Sequence, residues 1–465
     1  MTEKFRTEKD SMGEMQVPES AYYGAQTARA LENFPISPYK MPRAMIAAMG
    51  EIKRAAALVN ESLGKVEPTK TKAIVQAAQE VIDGKWDHQF VVDVFQTGSG
   101  TSTNMNTNEV IANRATEILG EARGSKLVHP NDHVNYGQSS NDVFPTAMHL
   151  AALYSFKYEL LPALKNLHAT LDKKAKTFDA IVKIGRTHLQ DATPIRMGQV
   201  FSGYAAQVKD SIRRIEYASS LLCSLALGGT AVGTGINTSR KFISGVIDTL
   251  AKRMEMPLKE SENHFAEQGA KDAMVDASGA LKTSAVALMK IANDFRWLGS
   301  GPRCGIGELK LPSTQPGSSI MPGKVNPVIA ESLTMVCAQV IGNDTTVTVA
   351  GQSGNFELNV MMPVMIFNVL ESSVLLAKSA ENFRTKCVEG TEVDEKRCAE
   401  LIEQSLAMCT VLAPKVGYDN AAAIAKEAYQ NGKTVRQVAL EKKIMPADEL
   451  ERLLNPYSQT EPEKE

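Results

Sequence analysis

The sequence predicts a mainly α-helical protein built around a bundle of five long helices. Three observations carry that reading. Aromatic residues are only 6% of the chain, with two Trp against 20 Met and many Ala, a balance that favours helix over sheet. Beyond residue 141, apolar residues recur three or four apart over long stretches, which is the period of one helix face. The segment 358–370 (LNVMMPVMIFNVL) carries no charge, so a helix there must be surrounded by other helices.

The 465 residues give a prior of about three domains at roughly 150 residues each. Hydrophobic residues at 43% and charged residues at 22% are ordinary for a globular protein. The net charge of -2 gives no basic excess to drive nucleic-acid or anionic-membrane binding. The six Cys are scattered and form no C-x-x-C, so a zinc ribbon, a thioredoxin motif and a closely spaced iron–sulfur run are unsupported. Buried free thiols in a reducing compartment are expected. Residues 1–6 (MTEKFR) lack the apolar stretch of a signal peptide. No apolar run approaches a membrane span, and a cytoplasmic protein is the expectation.

Residues 1–140 read as a mixed, mainly helical domain. Helical patterns at 43–60, 68–83 and 104–119 alternate with Gly/Pro-punctuated loops. Residues 141–390 read as the long-helix domain. Its first stripe is Met148, Ala151, Leu160, Leu164, Leu167 and Leu171. The second pattern covers about 193–223. The third runs 265–299 through Leu281, Ala285, Leu288, Ile291, Phe295 and Leu298. The fourth begins near Pro327. The fifth runs 356–388, with Met361, Met362 and Met365 as core fillers. Helices of this length suit a core shared between subunits. Gly390 breaks the pattern, and 391–465 reads as a small helical domain ending in a polar, disordered tail, QTEPEKE.

Four segments gather polar residues just before helical patterns: 97–104 (TGSGTSTN), 138–141 (QSSN), 185–191 (GRTHLQD) and 317–327 (GSSIMPGKVNP). A helix start presents unpaired N–H groups and the positive end of the dipole, and so holds anions. Ser, Thr and Asn add short donors, and Gly lets backbone approach closely. Any one segment alone reads as capping, with Asn141 the cap in the second. Four in one chain, two with a titratable side chain, point to a site. In the fourth, Pro322 stiffens the loop, Asn326-Pro327 reads as N-cap then N1, and Lys324 lies one turn from the helix. That suits a carboxylate gaining negative charge. Neither this loop nor 228–235 (GGTAVGTG) has a nucleotide fingerprint in the right context. His129 and His133 are separated by Pro130, so a helical metal face is not expected. His88, His149, His168 and His264 read as structural or surface residues. His188, in a hydroxyl-rich turn, is a candidate general acid or base.

These residues resemble a known family. The loop GSSIMPGKVNP at 317–327 is similar to the signature of the fumarase/aspartase superfamily, and the chain resembles class II fumarases within it. The likeness extends through VPESAYYGAQT (17–27), QTGSGTSTNMNTNEV (96–110), HPND (129–132), QSSNDVFPTAMH (138–149), GRTHLQDATP (185–194), GGTAVGTGIN (228–237) and GNFELNV (354–360). The resemblance implies a three-domain subunit whose five long helices enter a twenty-helix core in a homotetramer. It implies active sites shared between three chains and no metal or organic cofactor. It implies reversible hydration of fumarate to L-malate, a tricarboxylic acid cycle reaction, by anti elimination and addition through an aci-carboxylate. No nucleic-acid or membrane partner is implied.

Carried over by motif, Ser318 is the base that removes the C3 proton of malate. Lys324 and Asn326 bind the carboxylate that becomes the aci-carboxylate. Ser99, Gly100, Thr101, Ser139, Ser140, Asn141, Thr187, Ser319 and Val325 complete the substrate site. His188, paired with Glu331, handles the water. His129, Pro130, Asn131 and Asp132 form a second dicarboxylate site at the entrance. A Ser hydroxyl is a poor base unless donors favour its alkoxide, and helix ends plus Lys324 are the expected donors. Two other readings stand beside this one. Val328-Ile329 and Tyr22-Tyr23 are similar to aspartate ammonia-lyases, whereas Thr97 and Ser99 favour fumarase. A catalytically silent homologue is opposed by the intact Ser318, Lys324, Asn326, His188 and Glu331.

Overall fold

A computed structural model describes residues 4–462. Residues 1–3, within the stretch read for a leader, and 463–465, the end of the tail, lie outside it. Helices dominate, and every sheet among the described residues is a two-stranded ribbon. The five expected long helices are present. The first runs Ser140–Ser155, through a π-helical turn Phe156–Leu160, into Leu161–Thr177. The others are Met197–Leu222, Asp272–Leu298, Val328–Gly351 and Met362–Phe383. At 1.5 Å per residue, the 27 residues of Asp272–Leu298 span about 40 Å.

Their starts differ from the periodicity where side chains intercept the backbone. The third pattern splits into a short helix, His264–Gly269, and the long helix from Asp272. At the break, the buried Lys271 ammonium donates to the carbonyls of Gln268 (3.1 Å) and Ala270 (2.6 Å), satisfying the end of the short helix. The charge-free stretch 358–370 is not one helix either. Gly354–Asn355 and Leu358–Asn359 pair as a small hairpin, and helix begins at Met362. Asn359 causes this: its Nδ2 donates to Ala350 O (2.9 Å) and its Oδ1 accepts from Met361 N (2.9 Å). The second pattern starts late because 190–196 is strand. The helix expected from residue 104 starts earlier, at Thr101.

The chain forms two compact units. One comprises Met1–Pro162, Arg213–Ala285 and Ala338–Ala377. It opens with the hairpin Phe5–Asp10/Gly13–Pro18, registered Phe5 to Pro18. Helices Arg43–Ser62, Pro68–Ile82 and Thr101–Ile118 follow. Met45, Met49, Ile52 and Ala56 of the first and Ile74, Ala77, Ala78 and Val81 of the second are buried. Those spacings are the apolar stripe of an amphipathic helix.

The other unit comprises Ala163–Ile212, Val286–Cys337 and Lys378–Glu465. Phe201 meets Phe178, Tyr204 and Phe295 at 5.2, 5.6 and 5.5 Å between centroids, and Phe295 meets Phe383 at 5.1 Å, all edge-on. That arrangement aligns ring edges with ring faces. A separate apolar cluster joins Ile184 to Ile402, Met408, Leu412, Ile424, Val438 and Leu450. The tail is partly anchored, contrary to expectation. Arg196 donates to Thr460 Oγ1 (3.0 Å) and Glu461 (2.7 Å), and Gln199 to Thr460 O (2.9 Å).

Cys223, Cys337, Cys387 and Cys398 are buried and Cys409 half-buried, whereas Cys304 is exposed. Burial pushes the Cys337, Cys387 and Cys398 thiols up to about 12. Among the described residues one helix, Met362–Val388, is long and apolar enough to cross a membrane by length and composition, which the sequence reading did not anticipate. Of its most apolar window, 61% is buried.

Candidate active site

In the first unit, two helix starts meet through hydroxyls. The turn 97–100 closes with Gly100 N donating to Thr97 O (2.7 Å), and Gly100 takes φ 72°. A Cβ there would lie 2.1 Å from the Phe144 ring, so only Gly fits. Gly100 offers the helix Thr101–Ile118 no capping side chain. Gln96 supplies one: its Oε1 accepts from Thr103 N (2.9 Å) and Thr103 Oγ1 (3.0 Å). Ser99 Oγ lies 2.9 Å from Thr101 Oγ1, which lies 2.7 Å from Ser140 Oγ. Each hydroxyl has one rotatable hydrogen and two lone pairs, so the chain can turn its free hydrogen toward an anion at one end.

The second helix start is held by a residue the motif reading passed over. Asp142 is fully buried, accepting from Ser139 N through Oδ1 (2.9 Å) and from Gly228 N (2.9 Å) and Thr230 N (3.0 Å) through Oδ2. Burial pushes its pKa up, while three amide donors and the Lys53 charge oppose that. Ser139, not Asn141, is the cap, and with Asp142 it completes a capping box. Asn141 instead donates from Nδ2 to Ala231 O (2.8 Å). The Ser-x-x-Asp spacing at 139–142 is the sequence signal that points to Asp142. One carboxylate thus ties the QSSN segment to the glycine-rich 228–235 loop.

The HPND segment is a single π-helical turn, Pro130–Val134, capped by His129. His129 Nδ1 accepts from Asn131 N (3.2 Å) and Asp132 N (3.1 Å). That fixes the ring proton on Nε2. The 3.3 Å approach of His129 Nδ1 to Asp132 is therefore not an ion pair, since an accepting nitrogen has no proton to share. Asn131 and Asp132 are exposed, and Pro130 is half-buried. Burial and the neighbouring Lys70 hold the His133 pKa low.

In the second unit, Thr187 and His188 sit at the end of the hairpin Val182–Thr187/Gln190–Arg196. Thr187 pairs with Gln190, leaving His188 (φ 56°) and Leu189 (φ 60°) as a two-residue turn. Positive φ at both positions matches the twist of a hairpin but costs a non-Gly residue about 1–2 kcal/mol. The paired strands therefore hold an exposed imidazole at the tip on a strained backbone. The buried Glu308 carboxylate braces the strand behind it, 3.0 Å from Arg186 and 3.1 Å from Lys183. Burial lowers the Lys183 pKa and Glu308 opposes that.

The 317–327 loop is tied at its base. Gly317 N donates to Lys324 O (2.7 Å), and Asn326 Nδ2 donates to Gly317 O (2.7 Å). A Cβ on Gly317 would lie 2.6 Å from Lys324 O. Asn326 therefore closes the loop and does not cap the helix, which starts at Val328. Ser318 Oγ accepts from Met321 N (3.0 Å) and Ile320 N (3.3 Å). Both of these amides belong to the loop itself and not to a helix end. Ser319, Lys324 and Val325 are exposed. A cavity of about 1100 Å³ is lined by Lys324, Val325, Asn326 and Glu331, with six basic against three acidic side chains around it. Among the described residues no ion pair joins His188 to Glu331, which lies in the first turn of Val328–Gly351. The expected residues thus form three groups: Ser99, Gly100, Thr101 and Ser139–Asn141 with the HPND turn nearby in sequence; Thr187 and His188; and the Ser318 loop with Glu331.

Known proteins similar to this chain along its length identify its family. A family model described as lyase matches residues 13–342, and one described as the fumarase C C-terminus matches 408–460. Fumarate hydratase class II of Thermosynechococcus vestitus is 54% identical over 97% of this chain and 97% of its own. Mitochondrial fumarate hydratase 1 of Arabidopsis thaliana is 52% identical over 97% of this chain and 92% of its own. The crystal structure of recombinant class II fumarase from Schistosoma mansoni superposes with a TM-score of 0.96 at 41% identity, covering 98% of this chain and 99% of that one. With its mainly helical fold, its signature loop and relatives matched along nearly their whole length, the chain belongs to the class II fumarases of the fumarase/aspartase superfamily.

Proposed function

We propose that this protein is a fumarate hydratase, a lyase that interconverts fumarate and L-malate. The observation that carries the mechanism is Ser318 Oγ accepting two loop amides. Those donors stabilise an alkoxide, which takes the C3 proton of malate. The C3 electron pair moves into the adjacent carboxylate, giving an aci-carboxylate. Lys324 and Asn326, from the same loop, stabilise its added charge. The C2 hydroxyl then leaves as water, with His188 delivering the proton and Glu331 of the assembled enzyme orienting it. Loss of hydroxide from C2 and a proton from C3 balances to fumarate plus water.

Ser99, Gly100, Thr101, Ser139, Ser140, Asn141, Thr187, Ser319 and Val325 hold the dicarboxylate, and His129, Pro130, Asn131 and Asp132 hold a second one. The enzyme works as a cytoplasmic homotetramer with sites shared between subunits, each folded as domains 1–140, 141–390 and 391–465. Following fumarate absorbance with L-malate and then with L-aspartate tests the reading. Fumarate formed from malate alone supports it; formation from aspartate alone replaces it with ammonia-lyase activity. Light scattering giving a stable monomer at micromolar concentration would refute the shared sites.

A further inference from the structure

Lys53 has no part in the chemistry above, yet it is among the largest fully buried side chains of the described residues. It lies inside the helix Arg43–Ser62. Its ammonium donates to Asn135 Oδ1 (2.9 Å) and Gln138 Oε1 (3.0 Å). Both are neutral acceptors, so the charge is buried without a carboxylate in contact. Burial pulls its pKa from 10.5 down to about 7, and the charge of Asp142 opposes this. Such burial is costly unless every proton is used. Methionine would fill the same space at lower cost.

What the ammonium organises is the polar framework behind the first-unit segments. Asn135 Oδ1 also accepts from Asn108 Nδ2 (3.2 Å) and Asn104 Nδ2 (3.3 Å), both on the helix that begins at Thr101. Asn135 Nδ2 donates to Gln138 O (3.1 Å), the carbonyl of the peptide bond to Ser139. Gln138 Nε2 donates to Val134 O (3.1 Å), at the end of the HPND turn. Asn135 N donates to Pro130 O (3.0 Å), inside that turn. One cation thus fixes which way two amide side chains face, and those amides bond to the Thr101 helix, the HPND turn and the peptide preceding the Ser139 cap.

We propose that Lys53 is a positioning residue for dicarboxylate binding: it holds the Thr101 and Ser139 helix starts and the HPND turn in one fixed register. This rests on the dicarboxylate reading of those segments. Lys53 touches no substrate and acts through Asn135 and Gln138. A purely structural role would lower stability and leave KM unchanged in the folded enzyme.

The test uses the full-length assembled enzyme with Lys53→Met, Gln138→Met and the double variant, assayed well below their melting temperatures. Each single variant is expected to raise KM for L-malate about tenfold, the equivalent of one lost hydrogen bond, with kcat changed less. The double variant is expected to match Lys53→Met, because the Lys53–Gln138 bond is already lost there. A folded Lys53→Met enzyme with wild-type KM overturns the proposal, as do fully additive effects. If Lys53→Met does not fold, the half-buried Gln138→Met decides, and a wild-type KM there overturns it equally. Wild-type enzyme inactive on both fumarate and malate removes the underlying reading and this proposal with it. Activity with unmoved KM in the variants removes this proposal alone.

Discussion

Replacing Asp142 by Asn keeps the shape of the side chain and changes one oxygen into an amide NH2. All three partners of Asp142 are backbone N–H donors, so the new NH2 must face at least one of them. The cheaper orientation points it at Ser139 N and keeps the oxygen for Gly228 and Thr230. One buried N–H is then unmet, at about 1–3 kcal/mol. The two remaining bonds fall from charge-assisted to neutral, at about 1 kcal/mol each. Relief of the buried charge returns part of this, leaving a net loss of about 2–4 kcal/mol. At roughly 2.1 cal/mol/K per residue, the 465 residues unfold with about 1 kcal/mol/K. The expected fall in Tm is therefore about 2–4 °C. Because the lost bond is the one at the Ser139 cap, KM for malate is expected to rise as well. Thermal melts by circular dichroism at fixed protein concentration, with steady-state kinetics, read both effects. An Asn variant with unchanged Tm and unchanged KM would refute the argument that this carboxylate holds the two loops.

Four further outcomes are expected. Ser318→Ala should lower kcat by about 10²–10⁴ or more with the assembly intact, and should abolish exchange of the malate C3 hydrogen with deuterium; near-normal exchange would move the base elsewhere. Its companion His188→Asn should fold normally, because Asn tolerates the left-handed turn, and should slow the chemical step more than it weakens binding of a non-reacting dicarboxylate. Gly100→Ala should cost about 2–5 kcal/mol from positive φ and overpacking together, whereas Gly64→Ala, at φ 66° with no atom within 4 Å, should cost only the backbone part; equal losses in the two melts would contradict the Phe144 clash. Exhaustive EDTA treatment should leave turnover unchanged, since no group of three or more His, Cys, Asp or Glu among the described residues is arranged to hold a metal; loss of activity restored by added metal would count against this.

The helical class and the 317–327 loop were legible because their signals are local. A stripe such as Leu281, Ala285, Leu288, Ile291 and Phe295 repeats at the helix period whatever surrounds it. The loop carries its own closure, since Gly317, Lys324 and Asn326 bond to one another within ten residues. Helix starts were less legible. Asn359 and Lys271 end or delay helices through side-chain bonds that apolar periodicity does not encode, and Asn326 resembles a cap by residue type while its amide goes elsewhere.

Tertiary structure alone decided which buried polar groups hold the candidate site. Asp142 reaches Gly228 and Thr230 across 86 and 88 residues, and Lys53 reaches Asn135 and Gln138 across 82 and 85. By composition each is an ordinary charged residue that belongs in water. Only the fold shows that both are buried, and a buried charge is tolerable only where particular donors or acceptors meet it. The sequence by itself therefore determined the helices and the signature loop. The fold determined which distant charges hold the candidate site in place, because that depends on chain segments meeting in space and not on their spacing along it.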